Sequence, residues 1–184
     1  MRLTVYTDYT LRVMIYLSLK YDSGAVATID EMARAYGISR NHLMKIVNEL
    51  SQSGFIETTR GRSGGARLAR APNRISLGEV VRMAEKDFAV VQCQDVAFEA
   101  DCAVFQACNL KRGLRRAMDA FMQELDKMTF AEAVSAPTVA ESLLGLGGAG
   151  VAVPLPPRGS GRKAAAATPP HRTLAKRRGA ASPV

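Results

Sequence analysis

Several residue types are scarce in this chain, and each absence narrows the possibilities. Among 184 residues there is no tryptophan, and there are only two histidines and three cysteines. No apolar run reaches the roughly eighteen residues that a membrane-spanning helix needs, and the first residues lack the basic-then-apolar pattern of a secretory signal. We therefore expect a cytoplasmic protein without a membrane partner. Clustered acids, bases or a phosphate-binding loop are also missing outside the N-terminal part, so we do not expect an enzyme.

Charge is unevenly distributed along the chain. Basic and acidic residues number 11 and 6 over residues 1–75, 7 and 10 over residues 76–134, and 7 and 1 over residues 135–184. The net charge of +8 thus divides into a basic head, an acidic middle and a basic tail. Basic side chains supply most of the non-specific affinity of proteins for nucleic acid, so the head is a candidate DNA-binding unit.

Two closely joined helices are predicted in the head. Thr28-Ile-Asp-Glu31 is a capping box, in which the hydroxyl and the carboxylate satisfy backbone donors at a helix start. The helix that it opens ends at Gly37, which suits the left-handed conformation of a helix C-terminus. Ser39 then caps a helix over residues 40–51. This spacing is typical of a helix-turn-helix, whose second helix lies in the major groove of DNA.

The polar face of that second helix carries the candidate base-reading residues. Arginine suits guanine and asparagine suits adenine by bidentate geometry, and both occur in the first turn. A solvated polar face without a ligand is the alternative that this pattern leaves open. The residues expected to contact DNA here are Ser39, Arg40, Asn41, His42 and Lys45.

A glycine-rich hairpin is predicted directly after this helix, over residues 55–69. Two alternating segments flank a turn whose tip carries Arg60 and Arg62, and Arg67 lies on the returning strand. Arginines at such a tip can enter the minor groove and neutralise phosphates, as the wing of a winged helix does. The turn lacks the Gly-Lys-Ser/Thr ending of a nucleotide-binding P-loop, which argues against that reading.

The three cysteines form the second candidate site. They lie within sixteen positions, with eight residues between Cys93 and Cys102 and five between Cys102 and Cys108. An odd number of thiols argues against a disulfide framework. Thiolates are soft ligands for iron–sulfur clusters, zinc or cuprous copper, but a structural zinc site needs a further ligand, and the two histidines, His42 and His171, are distant in sequence. Three ordinary buried cysteines remain the alternative.

The remaining pattern completes the predicted architecture. A first helix is expected over residues 3–19, with Asp8 as a candidate N-cap. A second capping box, Ser76-Leu-Gly-Glu79, opens a helix that leads to Cys93. A long helix over residues 110–128 follows the cysteines and has an apolar seam at helical spacing, which we interpret as a dimer contact; packing within its own chain is the alternative. That seam consists of Leu110, Leu114, Ala117, Phe121, Leu125 and Met128.

The predicted fold class is therefore mainly α with a small β-wing. It comprises a winged helix-turn-helix DNA-binding domain over residues 1–75, and a cysteine loop with a long dimerisation helix over residues 76–134. Residues 135–184 are rich in alanine, proline, glycine and basic residues, and we expect this tail to be disordered. A dimer would present two recognition helices to a pseudo-palindromic operator in double-stranded DNA.

Several segments together resemble one known family. They are Met1-Arg-Leu-Thr, Thr7-Asp-Tyr-Thr-Leu-Arg12, Tyr36-Gly-Ile-Ser-Arg-Asn-His-Leu-Met-Lys45, Thr59-Arg-Gly-Arg-Ser-Gly-Gly65, Glu85-Lys-Asp-Phe88 and the three cysteines. Over residues 1–132 the chain resembles the Rrf-type winged-helix iron–sulfur regulators, and it is most similar to the nitric-oxide-sensing repressors among them.

The resemblance implies a homodimeric repressor with an iron–sulfur cluster, for which 4Fe–4S is favoured and 2Fe–2S is the alternative. It implies that Cys93, Cys102 and Cys108 of one subunit hold the cluster and that Asp8 of the partner subunit is the fourth ligand. Nitric oxide would act as the effector: it reacts with cluster iron, displaces ligands and releases the operator. Genes for nitric oxide detoxification would then be derepressed.

Two further functions stay open at this point. Iron-responsive members of the family share the three-cysteine pattern, and a metal-free regulator could use the thiols for redox sensing. Members that regulate cluster assembly use a histidine three positions after the third cysteine, where this chain has Lys111, which argues against that branch.

Overall fold

The computed structural model describes residues 2–61, 64–94, 102–134 and 136–146. Over these residues the chain is mainly helical and contains a two-stranded antiparallel sheet, so the predicted fold class is confirmed. In the described part, no helix combines the length and apolar character that crossing a membrane requires. The helices and strands are α1 (Val5–Leu19), α2 (Ile29–Tyr36), α3 (Arg40–Gln52), β1 (Ile56–Thr59), β2 (Gly65–Leu68), α4 (Leu77–Ala84), α5 (Leu110–Lys127) and α6 (Pro137–Leu143).

Helix α1 begins earlier than its predicted cap. Its N-cap is Thr4, whose hydroxyl accepts a hydrogen bond from the backbone N–H of Thr7 at 3.2 Å. The expectation that Asp8 caps this helix is therefore wrong. The Thr4 hydroxyl accepts from a free N–H of the first turn, so the helix begins at Val5 and Asp8 lies inside it. Asp8 lies in the first helical turn, where a carboxylate still stabilises the positive end of the helix dipole.

The predicted helix-turn-helix is confirmed in its local details. The backbone N–H of Glu31 donates to the Thr28 hydroxyl at 3.2 Å, and the Thr28 N–H donates to the Glu31 carboxylate at 2.6 Å. Gly37 ends α2 with φ = 61°, and Ser39 caps α3. Leucine and β-branched residues of α3 face the core that α1 and α2 also cover: Leu43, Ile46, Val47 and Leu50.

The wing is attached to the segment before α2. Strands β1 and β2 pair so that Ile56 lies opposite Leu68, and both residues are buried. Ala27 exchanges two backbone hydrogen bonds of 2.8 Å with Ala66. At Gly65 a β-carbon would lie only 2.7 Å from the carbonyl oxygen of Ala27, so only glycine fits this close approach.

Helix α4 carries the chain from the head to the cysteine segment. Ser76 and Glu79 form the predicted capping box at its start. Helix α5 packs along α4 and buries Met122, which the predicted seam did not include. The Arg82 guanidinium on α4 donates two hydrogen bonds, of 2.6 and 2.5 Å, to Asp126 on α5. The long helix is thus fixed to its own chain along one face.

The segment after α5 is more ordered at its start than its composition predicts. Phe130 is 1% exposed in the core, and α6 follows it. Leu144 and Leu146 pack partly buried against the core. The prediction of disorder from residue 135 is thus wrong for residues 136–146, because a few apolar side chains find a core surface that composition does not reveal. Residues 147–184, on which the rest of that prediction falls, lie outside the described part.

Candidate DNA interface and metal centre

The exposed face of α3 carries the predicted base-reading residues. Arg40, Asn41, His42 and Lys45 are all exposed, and the Ser39 hydroxyl accepts a hydrogen bond from the His42 backbone N–H at 3.4 Å. The buried face of the same helix fixes it to the core, so these polar side chains project from a rigid element. The structure therefore brings the five predicted residues together at the N-terminal half of α3.

Two of the predicted DNA-binding arginines have carboxylate partners in the free protein. Arg40 lies 2.7 Å from Asp30 of α2, and Arg67 lies 2.7 Å from Glu57, its cross-strand partner in the wing. These pairs are exposed, and such surface ion pairs contribute only about 0.2–1 kcal/mol. DNA phosphates can therefore replace the carboxylates at low cost.

Both carboxylates were missed by the sequence reasoning. Glu57 could have been found, because a hairpin register that pairs Ile56 with Leu68 also places Glu57 opposite Arg67. Asp30 gives no such signal, since its contact with Arg40 depends on how α2 and α3 cross.

The wing contributes a second exposed basic group. Arg60 follows β1 at the start of the turn and is exposed, as Arg67 is on β2. Arg62, the other predicted tip residue, lies outside the described residues. The described part of the wing thus carries two exposed arginines in addition to the basic residues of α3.

The three cysteines lie between α4 and α5. Cys93 is in a short 3₁₀ turn over Gln92–Gln94, and Cys102 and Cys108 flank another over Phe105–Ala107. All three thiols are free and half-buried. Residues 95–101, which join the first two, lie outside the described part. Among the described residues, no three cysteine, histidine or acidic side chains come close enough to hold a metal, so the ligand set stays a prediction.

Basic side chains of α5 lie next to Cys93 and next to the turn that precedes Cys108. Cys93 shares a cavity of about 100 Å³ with Lys111, Arg112 and Arg115 of the first turns of α5. The Lys111 ammonium lies 3.2 Å from the centroid of the Phe105 ring, a cation–π contact that joins α5 to the turn between Cys102 and Cys108. Positive charge next to thiolates stabilises an anionic centre. The chemistry of this donor set therefore fits a thiolate-ligated iron–sulfur cluster.

Asp8 is available for an external partner. Its carboxylate accepts from Arg12 one turn along α1, with contacts of 3.1 and 2.9 Å, and the two side chains are 49% and 44% exposed. An exposed pair at this spacing contributes about 0.5 kcal/mol or less, so it can be exchanged for a stronger interaction. Because Thr4 is the cap, capping no longer competes with a ligand role for Asp8.

The predicted seam of α5 does not coincide with the face that packs on α4. The side of α5 that faces α4 carries buried Met122, half-buried Met118 and Asp126, which pairs with Arg82 of α4; it lies about a quarter turn around the helix from the seam. On the seam, Leu110 is 66% exposed and Ala117 is also exposed. Leu110, Ala117 and Met128 of the seam therefore remain accessible to a second chain, whereas Leu114, Phe121 and Leu125 are half-buried.

Fold and site together define a winged-helix, DNA-binding transcriptional regulator. Residues 3–136 match the Rrf2 family, described as an iron-dependent transcriptional regulator. The HTH-type transcriptional regulator NsrR of Bacillus licheniformis is 43% identical over 134 residues, which are 73% of this chain and 92% of that protein. NsrR of Bacillus subtilis is 46% identical over 134 residues, which are 73% and 90% of the two chains.

Solved structures share the fold at lower identity. CymR, the global cysteine regulator of B. subtilis, matches with a TM-score of 0.57 and 24% identity over 73% of this chain and 97% of its own. IscR of T. potens matches with a TM-score of 0.56 and 21% identity, over 72% and 85% of the two chains. The chain belongs to the Rrf2 family of transcriptional regulators, which are not enzymes, and the resemblance to its NsrR members is confirmed.

Proposed function

We propose that this chain is a homodimeric repressor that binds a pseudo-palindromic operator while its cysteines hold an iron–sulfur cluster, and that nitric oxide releases it. The observation that carries the proposal is the short connection between a DNA-reading head and a thiol-rich segment. Helix α4 ends at Ala84, and Cys93 follows nine positions later, before α5 begins. Because α4 packs on α1 of the head, we expect a change at the cysteines to reach the head through α4.

The DNA-binding half of the proposal rests on the exposed basic face. Asn41 and Arg40 stand in the first turn of α3, where recognition helices read bases, and Arg60 and Arg67 stand where a wing contacts the minor groove. Bidentate arginine or asparagine contacts each contribute about 1–3 kcal/mol of discrimination between bases. Two such heads would suit half-sites about one helical turn apart.

The metal half rests on the donor set and its surroundings. Cys93, Cys102 and Cys108 would be the ligands of a cluster, 4Fe–4S in preference to 2Fe–2S, with Asp8 of the partner subunit as the fourth. When bound, the cluster would supply iron to which nitric oxide binds in place of protein ligands. The partner's Asp8 would make the site depend on the dimer, which the accessible seam of α5 supports. A reducing cytoplasm would keep these free thiols available.

Purification without oxygen, followed by iron and sulfide determination and an operator-binding assay, tests this function. We expect a brown protein whose visible absorbance bleaches with nitric oxide while operator affinity falls. Cys102→Ala should remove the absorbance and the cluster-dependent affinity. Arg60→Ala is the matched control: it should weaken DNA binding and leave the absorbance intact. A cysteine variant with full absorbance would contradict the ligand assignment.

Iron availability is the second candidate signal, since the family itself is described as iron-dependent. An iron-responsive regulator would lose operator affinity on iron chelation and resist brief exposure to nitric oxide. Operator affinity that follows thiol oxidation in iron-free protein would favour a regulator that uses its cysteines alone.

A further inference from the structure

The first turns of α1 contact the recognition helix at two points. The phenol of Tyr6 donates a hydrogen bond to the Glu49 carboxylate on α3, and the Tyr9 ring lies 6.0 Å from the His42 ring between centroids. His42 and Glu49 are seven residues apart, about 10 Å along the helix. Two contacts so far apart fix the orientation of α3 against α1.

The same part of α1 is also tied to the segment that leads to the cysteines. The backbone N–H of Thr4 donates to the Glu85 carboxylate at 2.6 Å, and Glu85 is only 8% exposed. Glu85 directly follows α4 and precedes Cys93 by eight positions. Asp8, the proposed ligand for the partner's cluster, lies between the two tyrosines in sequence.

Open space lies beside these contacts. A cavity of about 610 Å³ is lined by Tyr6 and Glu49, by Glu85 and by Phe88 after it. A close-packed core resists displacement, whereas the cavity gives Thr4 and Tyr6, which line it, room to shift. Thr7 in the same turn is fully buried, so its packing and the hydrogen bonds of Thr4 and Tyr6 together set the position of this end of α1.

We propose that Tyr6, with Tyr9, is a positioning residue that transmits displacement of α1 to the recognition helix, so that operator affinity follows the state of the cysteine segment. The inference rests on the proposed function. One helical turn holds Asp8 and both tyrosines, and an α-helix moves as a rigid unit over such a length. Movement of Asp8 thus changes the orientation of α3 through the Tyr6–Glu49 hydrogen bond, which a charged acceptor strengthens.

We define a ratio, the operator affinity of the cluster-loaded protein divided by that of the cluster-free protein. This ratio distinguishes a tyrosine that positions the recognition helix from one that only stabilises the fold. A tyrosine that only stabilises the fold affects both affinities equally and leaves the ratio unchanged. For Tyr6→Phe we expect this ratio to fall by about fivefold or more, the lower end of the usual range of coupling between sites. Iron content and visible absorbance should match those of the wild type, because the cysteines are unchanged.

A double-mutant cycle and a matched control complete the experiment. Glu49→Gln should lower the ratio as Tyr6→Phe does, and the double variant should add little, since both remove one interaction. Tyr21→Phe makes the same chemical change at an exposed tyrosine in the turn after α1 and should leave the ratio unchanged. Glu49→Gln also tests the inference if Tyr6→Phe folds poorly.

The outcomes separate this inference from the proposed function. A wild-type ratio of one in iron-loaded protein contradicts the proposed function, and with it this inference. A wild-type ratio well above one that survives unchanged in both Tyr6→Phe and Glu49→Gln overturns the positioning role alone.

Discussion

Replacing Asp30 with asparagine removes the carboxylate that holds Arg40 in the free protein. The two side chains are 2.7 Å apart, and they are 53% and 64% exposed. A surface pair of this kind contributes about 0.2–1 kcal/mol, which Arg40 gives up when it turns to DNA. Because about 1.4 kcal/mol corresponds to a tenfold change, Asp30→Asn should strengthen operator binding by up to about fivefold.

Fluorescence anisotropy with a labelled operator measures this change. Titrations between about 50 and 200 mM salt also report how many phosphate contacts are made. The matched control is Glu124→Gln, which removes the partner of Lys127 at 2.9 Å and makes the same change in net charge on α5. Its pair is more exposed, and neither residue belongs to the proposed DNA interface.

A stronger effect of Asp30→Asn than of Glu124→Gln is the expected result. Equal effects would mean that net charge, not release of Arg40, controls affinity. Weaker binding in Asp30→Asn would refute the reasoning, because the carboxylate would then assist DNA binding rather than compete with it.

Three other predictions follow from the packing. Gly65→Ala should lower the free energy of unfolding in urea by about 1–3 kcal/mol, because its β-carbon would clash with the carbonyl of Ala27; an unchanged midpoint would show that the wing can shift. Ala117→Glu should convert the proposed dimer to monomer in sedimentation experiments and alter monomer stability by less than about 0.5 kcal/mol; a persistent dimer would exclude the α5 seam as the interface. Burial raises the pKa of Glu79, but hydrogen bonds from its capping serine and from Arg70 outweigh it, so the pKa is below the ordinary 4.5. The stability that this carboxylate provides is present above pH 4.5 and is lost as the pH falls through the lowered pKa. The melting temperature of Glu79→Gln should therefore fall less in acid than that of the wild type. Parallel plots of melting temperature against pH would contradict this.

Local signals in the sequence predicted much of the fold. Thr28 and Glu31 fix a helix start through bonds within four residues, and Gly37 fixes its end through its own backbone. The hairpin follows from alternation and a glycine-rich turn. Such features depend on neighbours in sequence, so they can be identified without knowledge of packing.

One error arose from a competing cap a few residues earlier, and the others arose where distant residues decide the outcome. Asp8 was expected to cap α1, but Thr4 comes first and captures the free donor. Met122 is buried because α4 covers that face of α5, which periodicity alone does not indicate. The composition after residue 135 predicted disorder, but helix α6 forms there. Leu144 and Leu146, which follow it, pack against the core.

The candidate site was predictable by residue type and only partly by environment. Exposed basic residues on α3 and the wing follow from amphipathic pattern, as do three cysteines in one segment. The carboxylates that hold Arg40 and Arg67, and the link from Tyr6 to Glu49, need the crossing of elements that are far apart in sequence.

Iron bound per chain, measured on the same anaerobic samples as operator affinity, tests the central claim most directly. We expect the fraction of operator-binding protein to rise in proportion to iron and sulfide content, and to fall together with the visible absorbance as nitric oxide is added. Protein that is free of iron and binds its operator as tightly as the iron-loaded form would contradict the account.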